Sequence, residues 1–359
     1  MGRKPRETSP GAAAAGTEDP SPAARPTAVT SYDVARVARV SQSSVSRVFT
    51  PGASVSPEVR RRVLRAANQL GYQPNAIARS LITRRSGFVG LLIGTSTNLY
   101  YPEVLSELSR SISDAGSRVL LFTVDSESGT ETVLTQLWRY QVDGVIAATR
   151  LDAGQLAEFA ARKVPVVFYN RVPPDNPATA VTVDHAEGER RLIDRLVAAG
   201  HRRFGIVGGP ADNTVSLERT ESAIARLRHH GIDAVATVRG DYGYQSGVDA
   251  FHALRREAGE VPQAVVCAND AMALGVMDAA RLQAGLRIPQ DLSVVGFDGA
   301  EPSRWLSYGL TTIRQPVRRM AEAAVAMLVE RIARPDIEPE RRLYAGELVE
   351  GASARLGKG

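Results

Sequence analysis

The sequence lacks several features that would point to particular kinds of protein. Its 359 residues include one cysteine, Cys267, which excludes a disulfide within the chain and a zinc cluster built on cysteines. No run of about 18 apolar residues occurs, so we expect no membrane-spanning helix. Residues 1–26 contain basic side chains but no apolar stretch like that of a secretory signal peptide. We therefore expect a cytoplasmic protein.

Signatures of common enzyme classes are also absent. The residues after the first apolar run, 94–98 (GTSTN), do not match the G-x-G-x-x-G of dinucleotide-binding proteins. Neither G-x-x-x-x-G-K followed by Ser or Thr nor H-E-x-x-H is present, and the five histidines lack the spacing of metal ligands. We expect that the protein is not an enzyme and that it uses no cofactor and no metal.

Positive charge is concentrated near the start of the chain. Lysine is scarce, so arginine supplies almost all of it. Ten arginines against two acidic residues give residues 27–86 a net charge of +8, whereas the whole chain carries +5 and residues 1–26 carry +1, which leaves about −4 for residues 87–359. A basic segment on an acidic body indicates a polyanionic partner for that segment.

Residues 1–26 are rich in Ala, Pro, Gly, Ser and Thr and predict a disordered tail. Residues 27–74 instead contain the start signals of three helices. These signals are Thr30 and Asp33 as a capping box before a helix over 31–38, Ser41 before a helix over 42–49, and Ser56-Pro57-Glu58 before a helix that ends at Gly71. Two short helices at a tight turn, backed by a third, are typical of a helix-turn-helix DNA-binding domain. A small helical bundle with a solvated basic face is the alternative.

Residues 87–350 alternate between short apolar runs and helical stretches, which predicts an α/β fold with parallel sheets covered on both faces. Nine runs predict strands, at 87–94, 118–124, 143–148, 164–169, 180–183, 203–208, 235–238, 264–268 and 292–297. Nine strands divide naturally into two doubly wound subdomains. We place the first at about 86–183 with 316–334, the second at about 184–315 with 341–350, and a tail at 351–359. Ligands of such sheets bind at the carboxyl ends of the strands, in the crevice between the halves.

Several segments, taken in order, carry a family resemblance. They are YDVARVARVSQSSVSRVF, SVSPEVRRRVLRAANQLGYQPNAIARSL, CANDAMALGVMDAA, RIPQDLSVVGFDG and LTTIRQP. Over residues 28–350 the chain is similar to the lactose-repressor (LacI) family of bacterial transcription regulators. The resemblance implies a periplasmic-binding-protein-like body, a homodimer, and binding to a palindromic operator in double-stranded DNA. It also implies allosteric control of a repressor by a small molecule, expected to be a sugar or sugar derivative.

The resemblance carries DNA-contacting roles onto particular positions. Base contacts are implied for Gln42 and Ser43, at the start of the second helix, for Arg47, later in the same helix, and for Leu81, in a hinge helix within residues 75–85. Gln suits adenine and Arg suits guanine, while an inserted Leu kinks DNA from the minor groove. Phosphate contacts, which position the protein without reading sequence, are implied for Ser31, Tyr32, Ser41, Ser44, Ser46, Asn75 and Arg79.

An effector site is implied for seven residues of the body. They are Tyr100, Tyr101, Asn170, Arg190, Asp241, Asp270 and Asp298. Carboxylates, an amide and a guanidinium beside an aromatic wall suit the hydroxyls of a sugar, although Asp270 and Asp298 could instead be helix caps or turn residues.

Two positions depart from the family pattern, with Arg39 where glycine is usual and Ala223 where an aromatic is usual. The alternative function is a ligand-independent DNA-binding protein that retains the fold.

Overall fold

The structure is a computed structural model, and the chain divides into two compact units, residues 1–79 and 80–359. The structure describes residues 29–50, 52–73, 85–94, 99–124, 127–172 and 178–358. The predicted tail at residues 1–26 lies outside the described residues. So does most of the predicted hinge segment, including Asn75, Arg79 and Leu81.

The described part of the first unit contains three helices that begin where the sequence predicts. They are α1 (Ser31–Ala38), α2 (Gln42–Val48) and α3 (Pro57–Leu70). Thr30 and Asp33 form the capping box, and the hydroxyls of Ser41 and Ser56 accept hydrogen bonds from the first turns of α2 and α3. A small core of buried aliphatic side chains, including Val34, Val45 and Val63, holds the three helices together.

The turn between α1 and α2 depends on a left-handed residue. Arg39 has φ 51° and ψ 51°, a region that costs a residue other than glycine about 1–3 kcal/mol. The amides of Arg39 and Val40 donate to the carbonyls of Arg36 and Ala35, at 3.3 and 3.0 Å. These two bonds are the Schellman arrangement that closes a helix end, so the backbone that favours glycine in the family is retained with arginine.

Arg62 differs from the exposed arginines of α3. Its guanidinium is part-buried and donates to the carbonyls of Ala38 and Arg39, at 2.5 and 2.8 Å. Those carbonyls lie at the end of α1, where the helix dipole is negative and where a cation is stabilising. Arg62 therefore ties α3 to the end of α1.

Replacing Arg62 with alanine removes both hydrogen bonds and this charge. We expect the free energy of unfolding of the three-helix unit to fall by about 1–2 kcal/mol, which corresponds to about 5- to 30-fold weaker protection of its amides. Hydrogen exchange on the full chain measures this. Arg65→Ala, an exposed change on the same helix, is the control, and equal protection in the two variants would contradict the role given to Arg62.

The second unit contains two six-stranded sheets with helices between the strands. The first subdomain is formed by β1 (Phe88–Gly94), α4 (Tyr101–Asp114), β2 (Arg118–Val124), α5 (Glu127–Arg139), β3 (Gly144–Ala148), α6 (Ala153–Ala161), β4 (Val166–Tyr169) and β5 (Ala180–Val183). The second is formed by α7 (His185–Ala198), β6 (Phe204–Gly208), α8 (Thr214–His229), β7 (Val235–Arg239), α9 (Tyr244–Ala258), β8 (Ala264–Cys267), α10 (Asp270–Asp278), a π-helical turn (Ala279–Gln283), β9 (Ser293–Asp298), a 3-10 turn (Glu301–Arg304) and β10 (Thr311–Arg314). The chain then continues through α11 (Val317–Ala333), β11 (Arg341–Tyr344) and β12 (Glu347–Val349).

The strand orders are β11-β5-β4-β3-β1-β2 and β12-β10-β9-β8-β6-β7. All neighbours are parallel except β12, which runs antiparallel to β10. The central strands β3, β6 and β9 are buried along their whole length, as expected for sheets covered on both faces. The nine predicted strands are all present, and β10, β11 and β12 are additional. None of the helices in the described ranges is long and apolar enough to cross a membrane.

Two expectations about the end of the chain are wrong. Residues 341–344 do not join the second subdomain, because β11 pairs with β5 of the first sheet, with Arg341 opposite Ala180. Residues after 350 are not a free tail either. The buried hydroxyl of Ser353 donates to the carbonyl of Val294 at 2.6 Å and accepts from the amide of Thr311 at 2.8 Å. These bonds pair backbone groups of β9 and β10, so Ser353 packs as part of the second subdomain.

Candidate nucleic-acid interface and ligand cavity

Helix α2 presents polar side chains to solvent in its first and last turns. Ser43 and Arg47 are exposed, and Gln42 is half-buried. The side-chain amide of Gln42 donates to the hydroxyl of Ser31 at 3.4 Å, which places the first turns of α1 and α2 side by side. Val45 and Val48 point to the core. The predicted base-reading residues therefore lie on the face of α2 opposite its buried stripe.

The residues predicted to contact phosphate surround these two helix starts. Tyr32 is 72% exposed, and the hydroxyl of Ser41 lies 2.8 Å from that of Ser43 and 2.9 Å from that of Ser44. Ser46 is half-buried. Hydroxyls and helix amino termini are groups that bind phosphate oxygens. The structure thus brings together the described residues of the predicted interface on one surface.

The second unit has a small cavity where the carboxyl ends of strands from both sheets meet. Its lining residues are Tyr100, Tyr101, Ala148, Tyr169, Asn170, Arg171, Val215, Arg219, Tyr242, Asp298 and Gln315. Its volume is about 30 Å³, which is room for one or two water molecules. A larger ligand therefore requires the two subdomains to move apart.

The side-chain amide of Gln315 links the two subdomains across this cavity. The buried Gln315 follows β10, and its side-chain oxygen accepts hydrogen bonds from Tyr100 at 3.0 Å and from Asn170 at 2.7 Å. Its side-chain nitrogen donates to Asp298 at 2.8 Å. Tyr100 and Asn170 belong to the first subdomain and Asp298 to the second, so Gln315 is hydrogen-bonded to both subdomains.

Arg219 on α8 is the charged centre of the second subdomain's side of the cavity. It is 3% exposed, its guanidinium lies 3.0 Å from the carboxylate of Asp298, and it donates to the carbonyl of Ala268 at 2.6 Å. The guanidinium also stacks 3.8 Å from the ring centre of Phe297. Burial opposes its charge, but Asp298, Tyr242 and Glu189 together outweigh this effect, so the pKa of Arg219 lies above its ordinary value.

His185 fixes the third side of that guanidinium. Its Nδ1 lies 3.2 Å from Nε of Arg219. Because Arg219 can only donate, Nδ1 is the acceptor and the proton of the neutral ring is on Nε2. Burial and then the charges of Arg219 and Arg171 hold the pKa of His185 well below its ordinary value, so the ring stays neutral at neutral pH.

Glu189 lies on α7, one turn after His185, and is buried without a hydrogen bond to its Oε2. Burial raises its pKa to about 8, although Arg219 acts in the opposite direction. The carboxyl group is therefore largely protonated at neutral pH, because an unpaired buried carboxylate is costly. No sequence signal had marked this residue.

Three of the predicted effector residues do not line the cavity. Arg190 is exposed and pairs with Glu187 on the same helix. Asp241 is exposed and accepts from the amide of Gly243 at 2.7 Å. Asp270 is buried, but its two oxygens accept from Thr312 at 2.6 Å and from the amide of Ala300 at 2.7 Å, so it joins strand ends.

The cavity also contains residues that sequence reasoning missed. They are Tyr169, Arg171, Arg219, Tyr242 and Gln315. Tyr169 ends a predicted strand, and Arg171 and Tyr242 follow predicted strands within a few residues, which is the signal that could have found them. Gln315 follows β10, which was not predicted, and Arg219 comes from inside a helix. Ala223 is 1% exposed within the hydrophobic core and does not widen the cavity. Tyr242 provides an aromatic wall instead, packed where a side chain at Gly209 would collide with its ring.

Comparisons with known proteins agree with this architecture. Residues 30–75 match the family model described as bacterial regulatory proteins, lacI family, and residues 193–354 match a periplasmic binding protein-like domain. The ribose operon repressor of Escherichia coli (strain K12) is 34% identical over 335 residues, which is 90% of this chain and 99% of that repressor. Catabolite control protein A of Priestia megaterium is 32% identical over 311 residues, with 84% and 92% covered.

Solved structures give the same result. The lac repressor dimer bound to operator and the anti-inducer ONPF has a TM-score of 0.82 and 28% identity, covering 91% of this chain and 99% of that one. A transcriptional regulator CelR–cellobiose complex has a TM-score of 0.69 and 29% identity, covering 90% and 99%. A helix-turn-helix unit joined to a two-subdomain ligand-binding body defines a DNA-binding transcription regulator. The chain belongs to the lacI family of bacterial regulatory proteins.

Glu189 should make the stability of the second unit depend on pH. Its pKa rises from 4.5 to about 8 on folding, so its contribution to stability is complete below 4.5 and is lost as the pH rises to about 8. Glu189→Gln cannot ionise and escapes this loss. Relative to wild type, the variant should gain on the order of 3 kcal/mol between about pH 5.5 and about pH 8.5, measured by thermal unfolding.

The exposed Glu221 on α8 offers a control, because Glu221→Gln should follow the wild-type pH profile. Parallel profiles for wild type and Glu189→Gln would show that Glu189 is not buried as a neutral acid.

Proposed function

We propose that this protein is a cytoplasmic, dimeric transcriptional repressor whose affinity for a palindromic operator is controlled by a sugar-like molecule in the cavity. The observation that carries the proposal is the side-chain amide of Gln315, which joins the two subdomains inside a cavity lined by residues of both. The relatives named above as a ribose operon repressor and as a cellobiose complex support a sugar as the effector.

DNA recognition is assigned to α2. Gln42, Ser43 and Arg47 face solvent beside the hydroxyl groups of Ser31 and Ser41. A helix of this length fits the major groove, and Gln and Arg side chains distinguish adenine and guanine there. The exposed arginines of α3 add charge for phosphate, which makes affinity fall steeply with salt.

The effector changes DNA affinity by changing the orientation of the two subdomains. The cavity holds only about 30 Å³, so a bound sugar must separate Gln315 from partners on one side. A ligand shifts an equilibrium between two states only through its different affinity for them. Coupling of this kind is typically about 1–3 kcal/mol, a change of about 5- to 150-fold in operator affinity.

An apolar surface on the second subdomain supports the dimer. Leu282 is 81% exposed, and Leu306 is fully exposed beside Trp305. Arg281 donates to the carbonyl of Ser307 at 2.7 Å, which brings the two segments together into one patch. Exposed apolar clusters of this kind mark protein interfaces, and the lac repressor named above is a dimer on its operator.

The operator function is tested by selecting genomic fragments with the purified protein and measuring their affinity by fluorescence anisotropy, with and without a panel of sugars. We expect one preferred palindromic fragment and at least one sugar or sugar derivative that weakens its binding at least about fivefold. Equal affinity for all fragments would refute the repressor. Specific binding that no compound alters would favour the ligand-independent alternative.

Gln42→Ala and Arg60→Ala should weaken operator binding in different ways. Loss of a base-reading amide costs about 1–3 kcal/mol at one base position and relaxes the preference there. Loss of the exposed Arg60 weakens all sequences alike and lowers the salt slope by about 1. Binding to a set of operator point mutants at several salt concentrations separates the two effects, and the same loss of base preference in both variants would reject these roles.

Leu306→Asp should convert the dimer into a monomer, because a carboxylate would be buried without a partner at the apolar patch. Light scattering after size exclusion measures the mass. Leu343→Asp is the matched control, since Leu343 is also exposed, at 60%, but lies on β11 of the first sheet. A dimer that persists in Leu306→Asp would move the interface elsewhere.

A further inference from the structure

Among the residues that the structure describes, the cavity lining carries more positive than negative charge. Its charged lining residues are Arg171, Arg219 and Asp298. Arg219 and Asp298 form a buried ion pair at 3.0 Å, with both side chains less than 5% exposed. These two charges offset each other, so Arg171 leaves the lining with an excess of one positive charge.

Arg219 has little capacity left for a ligand. Its Nε faces His185, one terminal nitrogen donates to the carbonyl of Ala268, and the other pairs with Asp298. One face of the guanidinium is covered by the ring of Phe297. Arg219 is therefore a built-in part of the wall rather than an open anion site.

Arg171 differs from Arg219 in each of these respects. It is half-buried at the cavity, and within the described ranges no hydrogen bond, ion pair or ring contact engages its side chain. Its charge lowers the pKa of His185 and opposes the rise in the pKa of Tyr242. Both of those residues belong to the second subdomain, so the Arg171 charge acts across the cavity.

The backbone around Arg171 is held in place. It directly follows Asn170, which has φ 58°. The Asn170 side chain donates to Gln315 at 2.7 Å and accepts from the amide of Val183 at 3.2 Å. The backbone of Arg171 therefore leaves an anchored turn at the end of β4.

The remaining lining suits a polyhydroxylated molecule. Four tyrosines, Tyr100, Tyr101, Tyr169 and Tyr242, line the cavity with the amide of Asn170. Phenolic and amide groups both donate and accept hydrogen bonds, as sugar hydroxyls require. A neutral sugar would displace water from Arg171 and leave its charge unpaired in the cleft, which is unfavourable. A guanidinium matches a carboxylate or a phosphate with two parallel hydrogen bonds.

We infer that the effector is an anionic sugar derivative whose carboxylate or phosphate pairs with Arg171 while its hydroxyls bind the tyrosines and Asn170. This inference rests on the proposed function, since it names the class of molecule that the effector cavity takes. The shared chemistry is a polyol with one anionic group, and its source is either a sugar acid or a sugar phosphate.

The test is isothermal titration of the full-length protein with matched pairs of compounds. The pairs are gluconate with sorbitol, ribonate with ribitol, glucose 6-phosphate with glucose, and ribose 5-phosphate with ribose. We expect at least one anion to bind about tenfold or more tighter than its neutral partner, as a charge-assisted pair should provide. The sugar-acid and sugar-phosphate arms identify which anionic group the cavity accepts.

Arg171→Gln should remove about tenfold or more of the affinity for that anion and leave the affinity for its neutral partner unchanged. Arg171→Lys should restore part of it, because the charge remains without the planar fork. Arg190→Gln is the matched control, since Arg190 is exposed and pairs with Glu187 outside the cavity.

Three results would overturn the inference: neutral partners that bind as tightly as the anions, anion binding that survives Arg171→Gln, or no binding by any anion of the panel. The proposed function fails by a different measurement, the absence of operator selectivity or of any effect of a ligand on it. A neutral sugar that releases the operator equally from wild type and Arg171→Gln would refute the inference and leave the repressor intact.

Discussion

The buried side-chain amide of Gln315 holds the two halves of the body in their present orientation at the cavity. Gln315 accepts hydrogen bonds from Tyr100 and Asn170 and donates one to Asp298, so separation of the halves leaves polar groups to be satisfied by water or by a ligand. A buried donor or acceptor without a partner costs about 1–3 kcal/mol, which is the range of a typical allosteric coupling energy. A ligand that supplies its own hydroxyls at this place therefore acts on the groups that hold the present orientation.

Charge is arranged differently in the two functional regions. In the first unit the arginines are mostly exposed, where they can attract phosphate, and Arg62 is the exception because it closes the end of α1. In the body, Arg219 is buried and needs Asp298, His185 and a backbone carbonyl to remain charged there. At the surface, arginine attracts phosphate although water and salt screen its charge. In the interior, water is excluded, so the buried arginine needs protein partners and becomes part of a rigid wall.

Sequence reasoning succeeded where the signal is local. Hydroxyl caps and a proline at the first turn marked the starts of α1, α2 and α3, and apolar runs marked nine buried strands. It missed β10, which is only four residues long, and it missed β11 and β12. The last two lie at sheet edges, are partly exposed and include Arg341, Arg342 and Glu347. Edge strands are short and polar because charge there discourages pairing with other chains, so they lack the apolar pattern. The assignment of β11 to the wrong sheet has the same origin, since pairing partners are not encoded in the strand itself.

The sequence by itself determined the order of elements, the basic front, the polar face of α2 and the presence of Tyr100, Tyr101, Asn170 and Asp298 near strand ends. Those properties follow from backbone preferences and from periodicity, which act over a few residues. Only the tertiary structure decided that Arg190, Asp241 and Asp270 lie outside the cavity and that Arg171, Arg219 and Gln315 line it. Such membership depends on side-chain direction and on contacts between residues far apart in the chain, for example the 215 positions that separate Tyr100 from Gln315, and packing between distant segments sets both.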